Sequence, residues 1–172
     1  MRRTLVLLLG YFNVLVAAVT PARSEDWPQW QGPRADGGWR EKGIMAAFPA
    51  GGPPVRWRAA VAAGYSSPAV ADGRVFLLDR PESETRGNPG GALQRNAETG
   101  RERVQCFDAA TGKLQWSHEY PASYYISYPS GPRASPAVAG NRVYTLGAEG
   151  DLHCLEVATG RVVWARSFKQ DY

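Results

Sequence analysis

The segment Cys106-Phe107-Asp108-Ala109-Ala110-Thr111-Gly112-Lys113-Leu114-Gln115-Trp116 returns 48 residues later as Cys154-Leu155-Glu156-Val157-Ala158-Thr159-Gly160-Arg161-Val162-Val163-Trp164. Cys, Ala, Thr, Gly, a basic residue and Trp all match in register. Each copy reads as a β-hairpin: an apolar lead-in, a loop with Asp or Glu, Thr and Gly, then an apolar run ending on Trp. Gly112 and Gly160 suit the left-handed backbone that such a loop needs. Asp108 is short enough to hydrogen-bond the loop backbone as an Asx turn, a role for which the longer Glu156 is less suited. Strand alternation places Leu114 with Trp116, and Val162 with Trp164, on one face.

A second pair of segments precedes the hairpins. Ser67-Pro68-Ala69-Val70-Ala71-Asp72-Gly73-Arg74-Val75-Phe76 matches Ser135-Pro136-Ala137-Val138-Ala139-Gly140-Asn141-Arg142-Val143-Tyr144, 68 residues on. Asp72-Gly73 and Gly140-Asn141 are two-residue hairpin signals between strand-like runs. One unit is therefore strand, tight turn, strand, link, strand, Thr-Gly turn, and a strand ending in Trp. A four-stranded antiparallel unit repeating in the forties is the signature of a β-propeller blade.

The pattern Ser-Pro-Ala-Val, Arg-Val-Phe/Tyr, Cys-Phe/Leu-Asp/Glu-x-Ala-Thr-Gly-Lys/Arg-x-x-Trp resembles the pyrroloquinoline quinone (PQQ)-like repeat. Such repeats build eight-bladed propellers in quinoprotein dehydrogenases and in the outer-membrane-assembly lipoprotein. Asp26-Trp27-Pro28-Gln29-Trp30-Gln31-Gly32-Pro33 is similar to the start of an exported branch of that family. The resemblance, from about Asp26 onward, implies an all-β PQQ-like β-propeller fold. About two blades and a leading strand are present, so either further blades or a protein partner is expected to cover the open sides. The resemblance speaks to fold more than to activity, since one fold hosts many functions.

Residues 1–24 stand apart from the repeat. Arg2 and Arg3 are followed by a largely apolar run, Thr4 to Val19, and then by Ala22-Arg23-Ser24. This is the order of a cleaved signal peptide. A membrane anchor is the alternative, but the run falls short of the ~18–20 apolar residues that span a bilayer. Removing Arg2, Arg3 and Arg23, with no acid among them, takes the formal net charge from +4 to +1. The basic balance is thus partly an export feature, and no nucleic-acid partner is expected. An exported location, periplasmic or extracellular, follows, with no membrane span in the mature chain.

Residues 25–61 form an N-terminal lead carrying Trp27, Trp30, Trp39 and Trp57. These aromatics are expected to pack across the base of the propeller, with a ligand platform as the alternative. Pro53-Pro54-Val55-Arg56-Trp57 resembles the last, Trp-ending strand of a blade, the kind that closes a propeller ring. Residues 62–121 read as one blade with an inserted polar surface loop at 79–103, and 122–172 as a second blade and the start of the next link. In this architecture the strand after each Ser-Pro lies innermost. Arg133 and Tyr65, each two residues before its Ser-Pro, are therefore the candidate ligand residues of a channel mouth. Tyr124, Tyr125 and Tyr128 are candidate walls. An arginine there could hold an anion and the tyrosines could stack sugars or aromatic groups. The alternative is that these residues fill the blade junction.

Cys106, Asp108, Thr111, Gly112, Trp116, Cys154, Thr159, Gly160 and Trp164 are assigned to the repeat structure rather than to chemistry. Export permits a disulfide, but Cys106 and Cys154 sit at equivalent positions of adjacent blades, beyond bridging reach, and free buried thiols are expected. His153-Cys154 cannot be a metal pair, because consecutive strand residues face opposite ways. His118 reads as isolated. No metal site, nucleophile elbow, P-loop or dinucleotide fingerprint is present in the sequence. Quinoprotein dehydrogenases commonly hold the quinone with a vicinal Cys-Cys disulfide, and a calcium with Glu, Asn and Asp. Neither set is matched here, so no cofactor is expected, and PQQ and calcium belong only to the alternative of a PQQ-dependent dehydrogenase oxidising alcohols or sugars. A non-catalytic binding or interaction scaffold is the preferred reading. N-terminal sequencing of the exported product should return Glu25 as its first residue; an intact Met1 would refute the signal assignment.

Overall fold

The computed structural model of the chain describes residues 24–43, 45–81, 96–126 and 131–171. Residues 1–23, most of the expected signal peptide, lie outside the described residues. In chain order the elements are β1 (Ala69–Ala71), β2 (Arg74–Asp79), β3 (Asn96–Glu98), β4 (Arg101–Asp108), β5 (Leu114–Pro121) and β6 (Tyr124–Ile126). There follow β7 (Ala137–Ala139), β8 (Arg142–Leu146), β9 (Asp151–Glu156), β10 (Val162–Ser167) and a short helix, α1 (Phe168–Asp171). Two four-stranded antiparallel sheets result, β1-β2-β4-β5 and β7-β8-β9-β10. The expected all-β, blade-based architecture is therefore the one formed. No helix among the described residues is long and apolar enough to cross a membrane.

The local chemistry that builds each blade is visible in its turns. Ala71 pairs with Arg74 across Asp72-Gly73, and Ala139 with Arg142 across Gly140-Asn141. Asp72 and Gly73 both take positive φ, 49° and 71°, which the right-handed twist of a two-residue hairpin favours. In the Thr-Gly loop, Asp108 Oδ1 accepts from the amides of Ala110 (3.1 Å) and Thr111 (2.8 Å) and from the Thr111 hydroxyl. These bonds hold the Asp108 carboxyl below its usual range. Glu156 instead accepts only from side chains, those of Thr159 and Arg161. Its longer stem carries the carboxylate past the loop amides.

Where the sequence expects Leu114 and Trp116 on one face, the register differs. Phe107 pairs with Leu114 but Cys106 pairs with Trp116, so Gln115 is an extra residue, a β-bulge. Val163 is the same extra residue in the second blade, between the Leu155–Val162 and Cys154–Trp164 pairs. Adjacent residues Cys106 and Phe107 face opposite ways, and their partners follow them. Leu114 is accordingly exposed and Trp116 buried. The strands also run beyond the tryptophans, to Pro121 and Ser167, rather than ending there.

The bulge turns each tryptophan toward the neighbouring blade. Trp116 Nε1 donates to Val157 O at 2.9 Å, and its ring packs on Gly160 so closely that a Cβ there would lie 2.5 Å from it. Trp57 does the same one step earlier, donating to Ala109 O at 2.9 Å and packing on Gly112. Both glycines have φ 71°, so position and conformation each exclude a side chain. Trp57 occupies the place of a preceding blade's tryptophan, although its segment joins no sheet. Trp27 pairs with Val70, and Pro28 O accepts from Val138 N, so the lead threads between β1 and β7. Trp30 and Trp39 are exposed, contrary to the expected packing of all four. Neither lies on a segment with a sheet partner.

The ends of the expected surface loop at 79–103 are also structured. Asp79 and Arg80 are buried, as is Glu102, and β3 pairs with β6 of the inter-blade link in a separate two-stranded ladder. Asp79 is neutralised by a bidentate bond from Arg103, at 2.9 and 2.7 Å, and also accepts from Gln105 and from Ala62 N. Residues 82–95 lie outside the described residues. Truncation of a buried aromatic typically costs about 3–5 kcal/mol. Trp116→Ala should lower the unfolding free energy by that amount and Trp164→Ala, whose ring is 40% exposed, by clearly less; equal losses in chemical denaturation would contradict this arrangement.

Candidate functional site

Tyr65 and Arg133 lead into β1 and β7, and the structure brings them together. The Tyr65 amide donates to Pro132 O at 2.8 Å, which fixes the two approach segments side by side. Gly131 lets them meet, since a Cβ there would lie 2.8 Å from Gly64 Cα. The Arg133 guanidinium then sits 4.4 Å from the Tyr65 ring centroid, a cation–π contact at an exposed position. Two residues further in, Ser67 N donates to the Ser135 hydroxyl at 3.3 Å. This cationic and aromatic pair is open to solvent and can contact an anionic or aromatic group.

Tyr124 and Tyr125 do not gather around that pair. Tyr124 is buried at the blade junction, where its hydroxyl donates to Glu102. Tyr125 is exposed and its amide donates to Glu149 at 2.9 Å. Tyr128 lies outside the described residues. The structure places Tyr124 at the junction rather than at a channel wall, its hydroxyl taken up by the Glu102 carboxylate of β4.

That junction holds a built polar network. Glu102, fully buried, accepts from Tyr120 Oη (2.5 Å), from Tyr124 Oη, and from Ala148 N (3.0 Å) of the second blade. Arg80 lies 3.8 Å over the Tyr124 ring and donates to Ala122 O at 2.9 Å. Burial, and after it the adjacent Glu102, pushes both tyrosine hydroxyls far above the usual phenol range, so they remain donors. There is no room for a Cβ at Gly147 beside the Glu102 carboxylate. The sequence reading assigned this region to a surface loop and a link. Period-two alternation from Cys106 through Val104 to Glu102 is the signal that would have put Glu102 on the buried face.

Chemistry elsewhere is sparse. Cys106 and Cys154 are free and buried. Burial pushes the Cys106 thiol up to about 11, away from reactivity at neutral pH. His118 is not isolated: it meets His153 edge-to-face, with ring centroids 5.3 Å apart. Among the described residues no three His, Cys, Asp or Glu are grouped to hold a metal ion.

No match is found among curated proteins. Among solved structures, BamB from Moraxella catarrhalis is similar at 16% identity and a TM-score of 0.31, covering 62% of this chain and 34% of that one. A europium-containing methanol dehydrogenase is similar at 14% identity and a TM-score of 0.30, covering 63% of this chain and 25% of that one. The chain thus spans about a third and a quarter of their lengths. A family model described as outer membrane protein assembly factor BamB matches residues 41–171. That is about three quarters of the chain, which belongs to this family of PQQ-like propeller proteins.

Proposed function

We propose that the chain is an exported, non-catalytic interaction module, whose outer β10 face takes up a further blade or a protein partner of the same turn chemistry. One observation carries this reading: two tryptophans are seated on turn glycines and the third, equivalent one is open. Trp57 sits on Gly112 and Trp116 on Gly160, while Trp164 remains 40% exposed beside exposed Val162 and Val163. Trp164 is nonetheless poised like Trp116. Its ring centroid lies 6.1 Å from Tyr144 at 48°, as that of Trp116 lies 6.0 Å from Phe76 at 49°. A partner offering a glycine at positive φ and a nearby backbone carbonyl would complete the contact.

Export is supported by the signal-like start, Arg2-Arg3, Thr4 to Val19 and Ala22-Arg23-Ser24. The Arg133–Tyr65 pair is the place on this module where an anionic or aromatic group would be held. No quinone or calcium enters the reading.

The open face makes a direct demand on solution behaviour, because an uncovered apolar face drives association. The chain should associate with rising concentration in light scattering, and Trp164→Asp should reduce that association while Trp164 is the indole most accessible to acrylamide on the blades. A monodisperse, cooperatively unfolding monomer with Trp164 shielded from the quencher would overturn the proposal.

A further inference from the structure

Midway along the junction of the two blades lies a pair of histidines that neither the tryptophan seat nor the Glu102 network uses, beside Tyr120, which the network does use. β5 contributes His118 and Tyr120, and β9 contributes His153. The Tyr120 ring covers His153 with centroids 4.2 Å apart, and His118 stands 5.3 Å from His153 and 5.9 Å from Tyr120. Thr145 of β8 is the cross-strand neighbour of His153 on the same face. Three buried polar atoms here, His118 Nε2, His153 Nδ1 and Thr145 Oγ1, have no hydrogen-bond partner. His153 is 8% exposed and Thr145 1%. The equivalent of His153 in the first blade is Gln105, which is satisfied by Asp79. Two imidazoles from different blades thus meet at the junction, His153 buried and His118 half-buried, with polar atoms unpaired.

The surrounding charges are few. Arg101 of β4 lies near His118 and opposes its protonation, although its guanidinium also bonds Glu119 at 3.1 Å. Asp151, on the His153 face of β9, and Glu102 of β4 favour a charge on His153. Glu102 is already engaged by three donors. β10 places uncharged Ala165 opposite His153, with Arg166 paired to Leu152, and α1 brings Asp171 to the pocket that Asp151 and His153 line. Burial is the largest influence on both rings and keeps them neutral, lowering each below its ordinary 6.5; Arg101 adds to this at His118, and His118 adds to it at His153.

We propose that His118 and His153 form a proton-operated release for the blade junction. An imidazolium on either ring is disfavoured where both rings are partly withdrawn from water and packed together, so mild acid parts β5 from β9 while each sheet keeps its own ladder. Because protonation is easier in the open form than in the shut one, the shut junction is fully favoured above pH 6.5. It is lost progressively as pH falls from there through the lowered values of the shut form. The opening equilibrium should rise by up to about tenfold per pH unit for each proton taken up.

The chain contains only two histidines, so imidazole NMR resonances can be followed individually in the full chain from pH 8 to pH 5. The Trp116 indole N–H, bonded to Val157 O across the same junction, reports opening through solvent exchange. Both imidazoles should titrate below 6.5 together with faster Trp116 exchange, while far-UV circular dichroism stays unchanged. His118→Gln with His153→Gln should remove that pH dependence. The same acid dependence in the double variant would overturn the proposal. So would ordinary titration of both rings in the wild type with Trp116 unaffected, or loss of the sheets in step with the junction. Protection of both rings by micromolar Zn²⁺ would also overturn it, marking the pair as a metal site.

Discussion

The seat of a tryptophan on the turn glycine of the neighbouring blade requires three local features at once. The glycine must be at positive φ with no Cβ, as Gly112 and Gly160 are. A backbone carbonyl must stand one residue past the acidic loop residue, as Ala109 O and Val157 O do. The tryptophan must be turned toward that glycine, by the one-residue bulge at Gln115 for Trp116 and from a segment that joins no sheet for Trp57. A blade cannot bury its own large aromatic, so its stability is tied to the next unit. Everything else about the junction is arranged beneath that contact.

Much of this was legible because it is local. The 48-residue repeat, the two-residue hairpins and the Thr-Gly loops are set by short-range chemistry: positive-φ residues, an Asx turn and alternating apolar runs. The bulges were not legible, since a pattern of apolar residues is the same with or without one extra residue in the ladder. Asp79, Arg80 and Glu102 were read as surface because charged residues usually are. Their partners, Arg103, Tyr124 and Tyr120, come from other strands, and no spacing in the chain announces them. His118 read as isolated for the same reason, its neighbour lying on another blade.

The candidate ligand residues divide along the same line. Arg133 and Tyr65 were placed as equivalents by repeat alignment, and equivalents in adjacent blades are neighbours near the inner strands; their contact follows from the stacking of units. Tyr124 and Tyr125 are sequence neighbours on one short strand, so they face opposite ways. One enters the junction and the other faces solvent.

The two ends of the junction differ in generality, and this bears on what the open face can recognise. The tryptophan end is repeated: Trp164, Cys154 and Tyr144 reproduce Trp116, Cys106 and Phe76. The polar end is not. Where the first blade has Glu102, His118 and Tyr120, the second has Gly150, Arg166 and Phe168. Phe168 N donates to Gly150 O, and its side chain packs against that glycine. Under the proposed docking on β10, a neighbour would meet the same aromatic side chain but a cationic and aromatic edge in place of a buried carboxylate. The seat would accept any blade with a glycine turn. Discrimination among neighbours falls to the edge, because a buried charge without its partner is costly and a mismatched unit would leave one.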